Sequence, residues 1–352
     1  MRQVIKIAIA ATAAFALAAC STPTTPAAPA ASGSSAPASS AAAALKVGMA
    51  YDVGGRGDQS FNDSAATGLD KASAEFGVET KEASATNGEA ESARAERLQQ
   101  LIDAGYTNIV AVGYAYAGAV GTIAKENPEV KFSIVDDASE ASTGANIMNI
   151  TFAENEGSFL VGAAAALKTK TGKLGFVGGV ETELIKKFEA GFIAGAKAVK
   201  PDVKVSSKYL TQPPDYSGFN SVDKGKAAAE GMYQGGADIV YHAAGGSGGG
   251  VFTAAKAAGK LAIGVDSDQA LTAAADVRSV VMTSMIKRVD TGVYTFIKSI
   301  HDGSFKAGNT AFDLKADGVG YSTTGGMVDD IKEKLETYKA DIISGKIVVP
   351  AK

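Results

Sequence analysis

The sequence predicts an α/β protein built as two doubly wound parallel-sheet lobes, and three observations carry that prediction. Strand-like and helix-like segments alternate at regular spacing from residue 45 onward, and the alternation restarts after residue 152. With 352 residues, 46% hydrophobic and 20% charged, the chain is too long for a single core. Its 41 glycines against 9 prolines, without a collagen period, point to many tight turns between short elements.

The first 44 residues stand outside that pattern. Met1-Arg2-Gln3-Val4-Ile5-Lys6 is a short cationic start, and the apolar run from Ile7 to Ala16 is too short to span a bilayer, so residues 1–19 read as a secretory signal peptide. The segment ends in Leu17-Ala18-Ala19-Cys20, which resembles the bacterial lipobox, where cleavage before the cysteine is coupled to its acylation. An ordinary Ala-x-Ala cleavage with Cys20 incidental is the alternative. The lone cysteine favours the lipid anchor, because a secreted chain with one cysteine has no disulfide to make. Residues 20–44 carry no charge and consist mostly of Ser, Thr, Pro and Ala, a spacer composition that cannot bury a core. The expectation is a protein tethered to a lipid bilayer through acylated Cys20, on the extracytoplasmic face of the cell membrane.

In the first lobe the apolar spacing predicts strands at 45–52, 78–85, 107–112 and 131–136, with helices at 62–76, 89–104 and 118–126. After Ile147-Met148-Asn149-Ile150-Thr151-Phe152 the second series has strands at 174–177, 203–210, 238–242 and 261–265 and helices at 183–200, 223–234 and 251–258. One more strand, 279–284, and helices at 289–300 and 327–343 are too few for a third domain, so they are expected to be shared between the lobes. The resulting division is 45–150 plus about 285–305 for the first lobe, and 151–284 plus about 306–352 for the second.

Charge excludes one class of partner. Two basic residues and no acidic one precede position 46, so the remainder holds 32 basic against 38 acidic groups. No general attraction to nucleic acid follows from that balance. The chain has no C-x-x-C, H-E-x-x-H or Walker-type run, so neither a metal nor a nucleotide cofactor is expected. Gly245-Gly246-Ser247-Gly248-Gly249 fits the G-x-S-x-G of a hydrolase elbow, but the only histidine that follows it, His301, lies in a polar helix end before Gly303. The plainer reading of the glycines is close backbone approach, with N–H groups directed at a ligand oxygen.

Asp52, Asp136 and Asp266 each stand at the carboxyl end of a predicted strand, where open α/β sheets bind ligands. Helix capping explains one such aspartate. Three of them, divided between two lobes, point to a cleft for a neutral, hydroxyl-rich ligand, because carboxylates accept hydrogen bonds from hydroxyl and N–H groups and repel phosphates. Phe61 sits in the polar run Asp58-Gln59-Ser60-Phe61-Asn62. Phe188 and Phe192 share one helix face, so one of them belongs to the core and the other faces the cleft. A ring from each lobe would sandwich a planar base. Lys287 reads equally as a donor to the ligand or as a solvated lysine at a strand exit.

Tyr51-Asp52-Val53-Gly54-Gly55, Asp58-Gln59-Ser60-Phe61-Asn62, Phe188-Glu189-Ala190-Gly191-Phe192, His242-Ala243-Ala244-Gly245-Gly246, Gly264-Val265-Asp266-Ser267-Asp268-Gln269 and Thr283-Ser284-Met285-Ile286-Lys287-Arg288 resemble, in order, the motifs of the basic membrane protein family, substrate-binding lipoproteins of ABC importers. The resemblance runs from Lys46 to about Gly345. It implies a type I periplasmic-binding-protein fold with a multi-strand hinge, a monomer that holds a purine nucleoside between its lobes, and permease and ATPase subunits as partners. By family pattern Phe61 and Phe188 stack on the base, Asp52, Asn62 and Asp136 bind its polar edge, and Gly245, Asp266 and Lys287 hold the ribose. The loop Gly54-Gly55-Arg56-Gly57-Asp58 departs from that pattern through Arg56; its Arg-Gly-Asp run reads as a turn. A nucleoside-sensing or accessory surface lipoprotein without transport shares all these features, and a Ser247-dependent hydrolase is the remaining alternative.

Overall fold

The computed structural model describes residues 44–352; the expected signal peptide, Cys20 and all but the last residue of the spacer lie outside the described residues. The chain begins with β1 (Lys46–Tyr51), α1 (Phe61–Phe76), β2 (Glu79–Ser84), α2 (Glu91–Asp103), β3 (Asn108–Val112), α3 (Ala117–Glu126), β4 (Lys131–Val135) and β5 (Ile147–Phe152). It continues through α4 (Glu154–Lys168), β6 (Lys173–Val180), α5 (Glu183–Val199), β7 (Lys204–Thr211), α6 (Val222–Gln234), β8 (Ile239–Ala243), α7 (Gly248–Ala258), β9 (Leu261–Asp266), the single turn α8 (Gln269–Thr272) and β10 (Val281–Lys287). Last come α9 (Val289–His301), β11 (Gly308–Phe312), β12 (Val319–Tyr321) and α10 (Lys332–Ile343).

Two six-stranded sheets result, ordered β11-β5-β4-β3-β1-β2 and β12-β10-β9-β8-β6-β7. The orders correspond strand for strand, so β4 in one lobe occupies the position of β9 in the other. Every pairing is parallel except β12 against β10. Central strands such as β3, buried at all five residues, are covered on both faces, which is why they read as continuous apolar runs.

Besides the single turn α8 and β5, which the sequence reading marks only as the boundary between the two series, three elements escape it. Helix α4 is buried continuously from Gly157 to Ala166, so it has no polar face and no periodicity to detect. It packs on α5 so closely that a Cβ at Gly195 would lie 1.9 Å from the carbonyl oxygen of Phe159. β11 and β12 are short edge strands with few buried residues.

The chain crosses between sheets after β5, after β10 and between β11 and β12. The sequence-derived limits shift accordingly. β10 keeps the chain in the second sheet through Lys287, beyond the expected exit at about 285, and β11 pairs with β5, so the return expected at about 306 comes only after Phe312. α9 packs on α1 and β4 of the first lobe, while α10 and α4 pack together in the second.

Candidate ligand-binding cleft

Parallel sheets point their carboxyl ends at the crevice between the lobes, and that is where the polar residues collect. All eight residues expected to meet the ligand, Asp52, Phe61, Asn62, Asp136, Phe188, Gly245, Asp266 and Lys287, line one cleft. Phe188 is the ring that faces the cleft. Phe192 is fully buried against Phe176 and Tyr241, which resolves the choice between them.

In the first lobe a capping network fixes the wall. The Asp58 carboxylate accepts hydrogen bonds from the backbone N–H groups of Ser60 (2.9 Å), Asn62 (2.8 Å) and Asp63 (3.1 Å), closing the first turn of α1. The Asn62 side chain donates to Asp58 Oδ2 and accepts from the backbone N–H of Asp52 at 3.1 Å, so the helix start and the end of β1 hold each other. Burial raises the Asp52 carboxyl to about 6, against the opposing pull of the Val53 N–H and the charge of Arg94. The Arg-Gly-Asp run is structural: Arg56 makes paired contacts with Asp70 and Glu82, and Asp58, two residues before the Ser60 N-cap, accepts from the N–H groups that open α1.

Asp136 and Asp266 occupy corresponding strand ends, and both hold left-handed backbone, φ +69° and +64°, a conformation that aspartate tolerates better than most side chains. Each reaches the opposite lobe. Ser60 donates to Asp266 Oδ2 at 2.6 Å, and Lys287 donates to Asp136 Oδ2 at 2.6 Å. Burial pushes Asp266 up to about 7, although Lys287 and the Ser60 hydroxyl pull it down. Asp136 Oδ1 is buried and has no partner.

Lys287 is 1% exposed, so the solvated alternative fails. Its ammonium lies 5.2 Å from the ring centre of Phe61, 5.4 Å from that of Phe188 and 5.1 Å from that of Phe152. Burial disfavours the charge, but Asp136, Glu154 and Asp266 outweigh it and hold its pKa above the ordinary lysine value.

The polyglycine turn has divided roles. Gly245 lines the cleft with φ +53°, whereas Gly248 faces away from it: a Cβ there would lie 2.0 Å from the buried His242 ring. Ser247 is fully buried, donating to the Gly218 carbonyl at 2.8 Å and accepting from the Ser221 N–H at 2.7 Å. His301 stacks on Phe76 at the far end of α9. Ser247 and His301 are thus not brought together as nucleophile and base.

Sequence reasoning missed Tyr114, Phe219 and Leu184, which also line the cleft. Tyr114 meets Tyr216 and Phe219 edge-on across the lobes, with centroid distances of 6.1 and 6.5 Å. The run Tyr216-Ser217-Gly218-Phe219 is a single tight turn with no periodicity to reveal it. Among the described residues no cluster of His, Cys, Asp or Glu is placed to hold a metal, and no helix is long and apolar enough to cross a membrane.

The arrangement can hold a planar, polar, uncharged molecule between aromatic rings and carboxylates supplied from both sides. Known proteins of similar sequence and shape agree with a binding role. Residues 45–352 match the family described as Bmp, ABC transporter substrate-binding protein PnrA-like. The chain is 37% identical over 324 residues to the "ABC transporter nucleoside-binding protein BmpA" of Lactococcus lactis, covering 88% of this chain and 90% of that one. It is 34% identical over 302 residues to the "Basic membrane protein A" of Borreliella burgdorferi, covering 84% of each. Among solved structures, an ABC transporter solute-binding protein from Aeropyrum pernix superposes with a TM-score of 0.76 at 29% identity, over 88% of this chain and 94% of that one. A myo-inositol binding protein from Caulobacter shares the fold, with a TM-score of 0.60 at 16% identity over 82% and 97% of the two chains. Both sheets, the interlobe cleft and these likenesses give a type I periplasmic-binding-protein fold, and the chain belongs to the PnrA-like family of ABC transporter substrate-binding proteins.

Proposed function

We propose that this protein is a lipid-anchored receptor that captures a purine nucleoside in its cleft and hands it unaltered to a membrane permease. The observation that carries the ligand class is the composition of the cleft: Phe61 from one lobe and Phe188 from the other, among the carboxylates of Asp52, Asp58, Asp136 and Asp266, with Lys287 as the one lining cation. Two rings favour a flat base, since each stacking contact is worth about 1–3 kcal/mol. The carboxylate excess favours N–H and O–H donors and repels a phosphate. In this reading Phe61 and Phe188 stack on the base, Asp52, Asn62 and Asp136 meet its polar edge, and Gly245, Asp266 and Lys287 hold the ribose, as in the family pattern. The nucleoside-binding relative in Lactococcus lactis supports the same ligand class. Cys20, acylated, would keep the receptor beside its permease at high effective concentration.

The test is calorimetry with adenosine, guanosine and inosine, each beside its 5′-monophosphate. One-to-one binding of the nucleosides is expected, with recovery of unchanged ligand. Monophosphates should bind more than about a hundredfold more weakly, because like charges brought together cost several kcal/mol. Equal affinity for both, or the appearance of free base, would overturn the proposal. Release of the protein from membranes by Cys20→Ser, with affinity unchanged, tests the anchor.

A further inference from the structure

The Lys287 ammonium has two carboxylates to choose from, and they sit on different lobes. Asp136, at the end of β4, belongs to the first lobe and lies 2.6 Å away. Glu154, the first residue of α4, belongs to the second lobe, as Lys287 itself does, and lies 3.4 Å away. Both Glu154 and Lys287 stand next to a chain crossing: Glu154 just after the exit from β5, Lys287 just before the exit from β10. Because α4 packs on β10, the Glu154–Lys287 pair moves as one body when the lobes part. The Asp136–Lys287 pair does not.

Glu154 is fully buried, and neither of its oxygens has a hydrogen-bond partner. Among the described residues its other cationic partner is Lys187, at 3.6 Å and partly exposed. A buried carboxylate left in that condition is costly, and a hydrogen bond from Lys287 would relieve it. In the closed arrangement the ammonium is drawn to Asp136 instead.

We propose that Glu154 competes with Asp136 for Lys287 and thereby biases the lobes to reopen, making it the positioning residue that sets the rate of ligand release. Closure gives the Lys287 hydrogen bond to Asp136 at 2.6 Å and keeps Glu154 at the looser ion-pair distance of 3.4 Å. Opening withdraws Asp136 and returns Lys287 to Glu154. Lys187 tempers the effect by partly compensating Glu154 in the closed arrangement. The competition requires a cleft that opens and closes, whichever molecule fills it.

Two substitutions outside the cleft lining move this balance in opposite directions. Glu154→Gln removes the competitor, so the closed arrangement gains; Lys187→Met removes the compensating charge, so opening gains. The first readout needs no ligand: the distance distribution between spin labels at Thr122→Cys on α3 and Thr253→Cys on α7, in full-length chain carrying Cys20→Ser. The short-distance population should grow in Glu154→Gln and shrink in Lys187→Met. The second readout is stopped-flow release of inosine, expected to slow about fivefold or more in Glu154→Gln and to quicken in Lys187→Met. Unchanged distances in both variants, or a shift of both in the same direction, would overturn the proposal. Should Glu154→Gln fail to fold, Lys187→Met decides alone: a wild-type distance distribution refutes the competition. A chain that binds no inosine yet shows the opposed distance shifts would refute the nucleoside reading and leave this one standing.

Discussion

The two lobes place an aspartate at the same point of their sheets, and the two carboxylates end in different company. Asp266 meets a neutral hydroxyl, that of Ser60, and burial holds it near 7. Asp136 meets the ammonium of Lys287 and keeps Oδ1 without a protein partner. Backbone position, strand order and left-handed φ are shared. The fold therefore supplies the address, and the residue contributed by the opposite lobe decides what the carboxylate can do: one joins the lobes through a hydroxyl, the other through an ion pair beside the aromatic rings.

The largest effect should come from removing the cation that makes the difference. Lys287→Met leaves Asp136 buried without its counter-charge and Glu154 with Lys187 alone, and breaking a buried pair in this way costs about 3–5 kcal/mol. Urea denaturation should show that loss, together with loss of nucleoside binding; a wild-type midpoint would mean the pair contributes nothing. Next come Asp136→Asn and Asp266→Asn. Both retain a residue that tolerates left-handed backbone. Asp136→Asn should weaken nucleoside affinity more than about tenfold, the equivalent of 1.4 kcal/mol. Asp266→Asn should matter chiefly for ligands bearing both ribose hydroxyls, so its effect should shrink with 2′-deoxynucleosides. Identical profiles for the two variants would erase the distinction.

Phe61→Ala and Phe188→Ala, one from each lobe, should each weaken binding by about 1–3 kcal/mol in calorimetry. A loss in only one of them would mean that the base rests on a single lobe. The last contrast is in pH dependence. Asp266 at about 7 and Asp52 at about 6 bind a proton more tightly folded than unfolded. Their contribution to stability is complete below about pH 4 and is lost as the pH rises to about 7. Thermal midpoints over that window should fall more steeply in the wild type than in Asp266→Asn.

Much of this was legible in the chain because the binding residues stand at strand ends, where apolar runs stop abruptly at Asp52, Asp136 and Asp266. The alternation of elements gave both lobes for the same reason. Helix α4 left no trace, since a helix apolar on every side has no period, and with it went Glu154, an acidic residue that looks like any helix-start carboxylate until its burial is seen. Lys287 was ambiguous because the strand was expected to end at Ser284, and only the continuation of β10 carries the side chain into the cleft. Tyr114 and Phe219 had no signal at all. Their partners lie about a hundred residues away, and pattern reasoning works within a window of 11–18 residues.

The interleaving of the chain also governs how the protein can be made. The first lobe is not complete when residue 152 leaves the ribosome, for α9 and β11 lie far downstream, at 289–301 and 308–312. Helix α1 fits α9 so closely that a Cβ at Gly68 would lie 2.3 Å from the Asp290 carbonyl oxygen, so its inner face stays uncovered throughout synthesis of the second lobe. The first lobe gains its last strand only at Phe312, after most of the second has been made, and the second gains α10 only at Ile343. A lobe that stays unfinished until late in synthesis carries an uncovered apolar face in the meantime, and that face is where misassembly would begin.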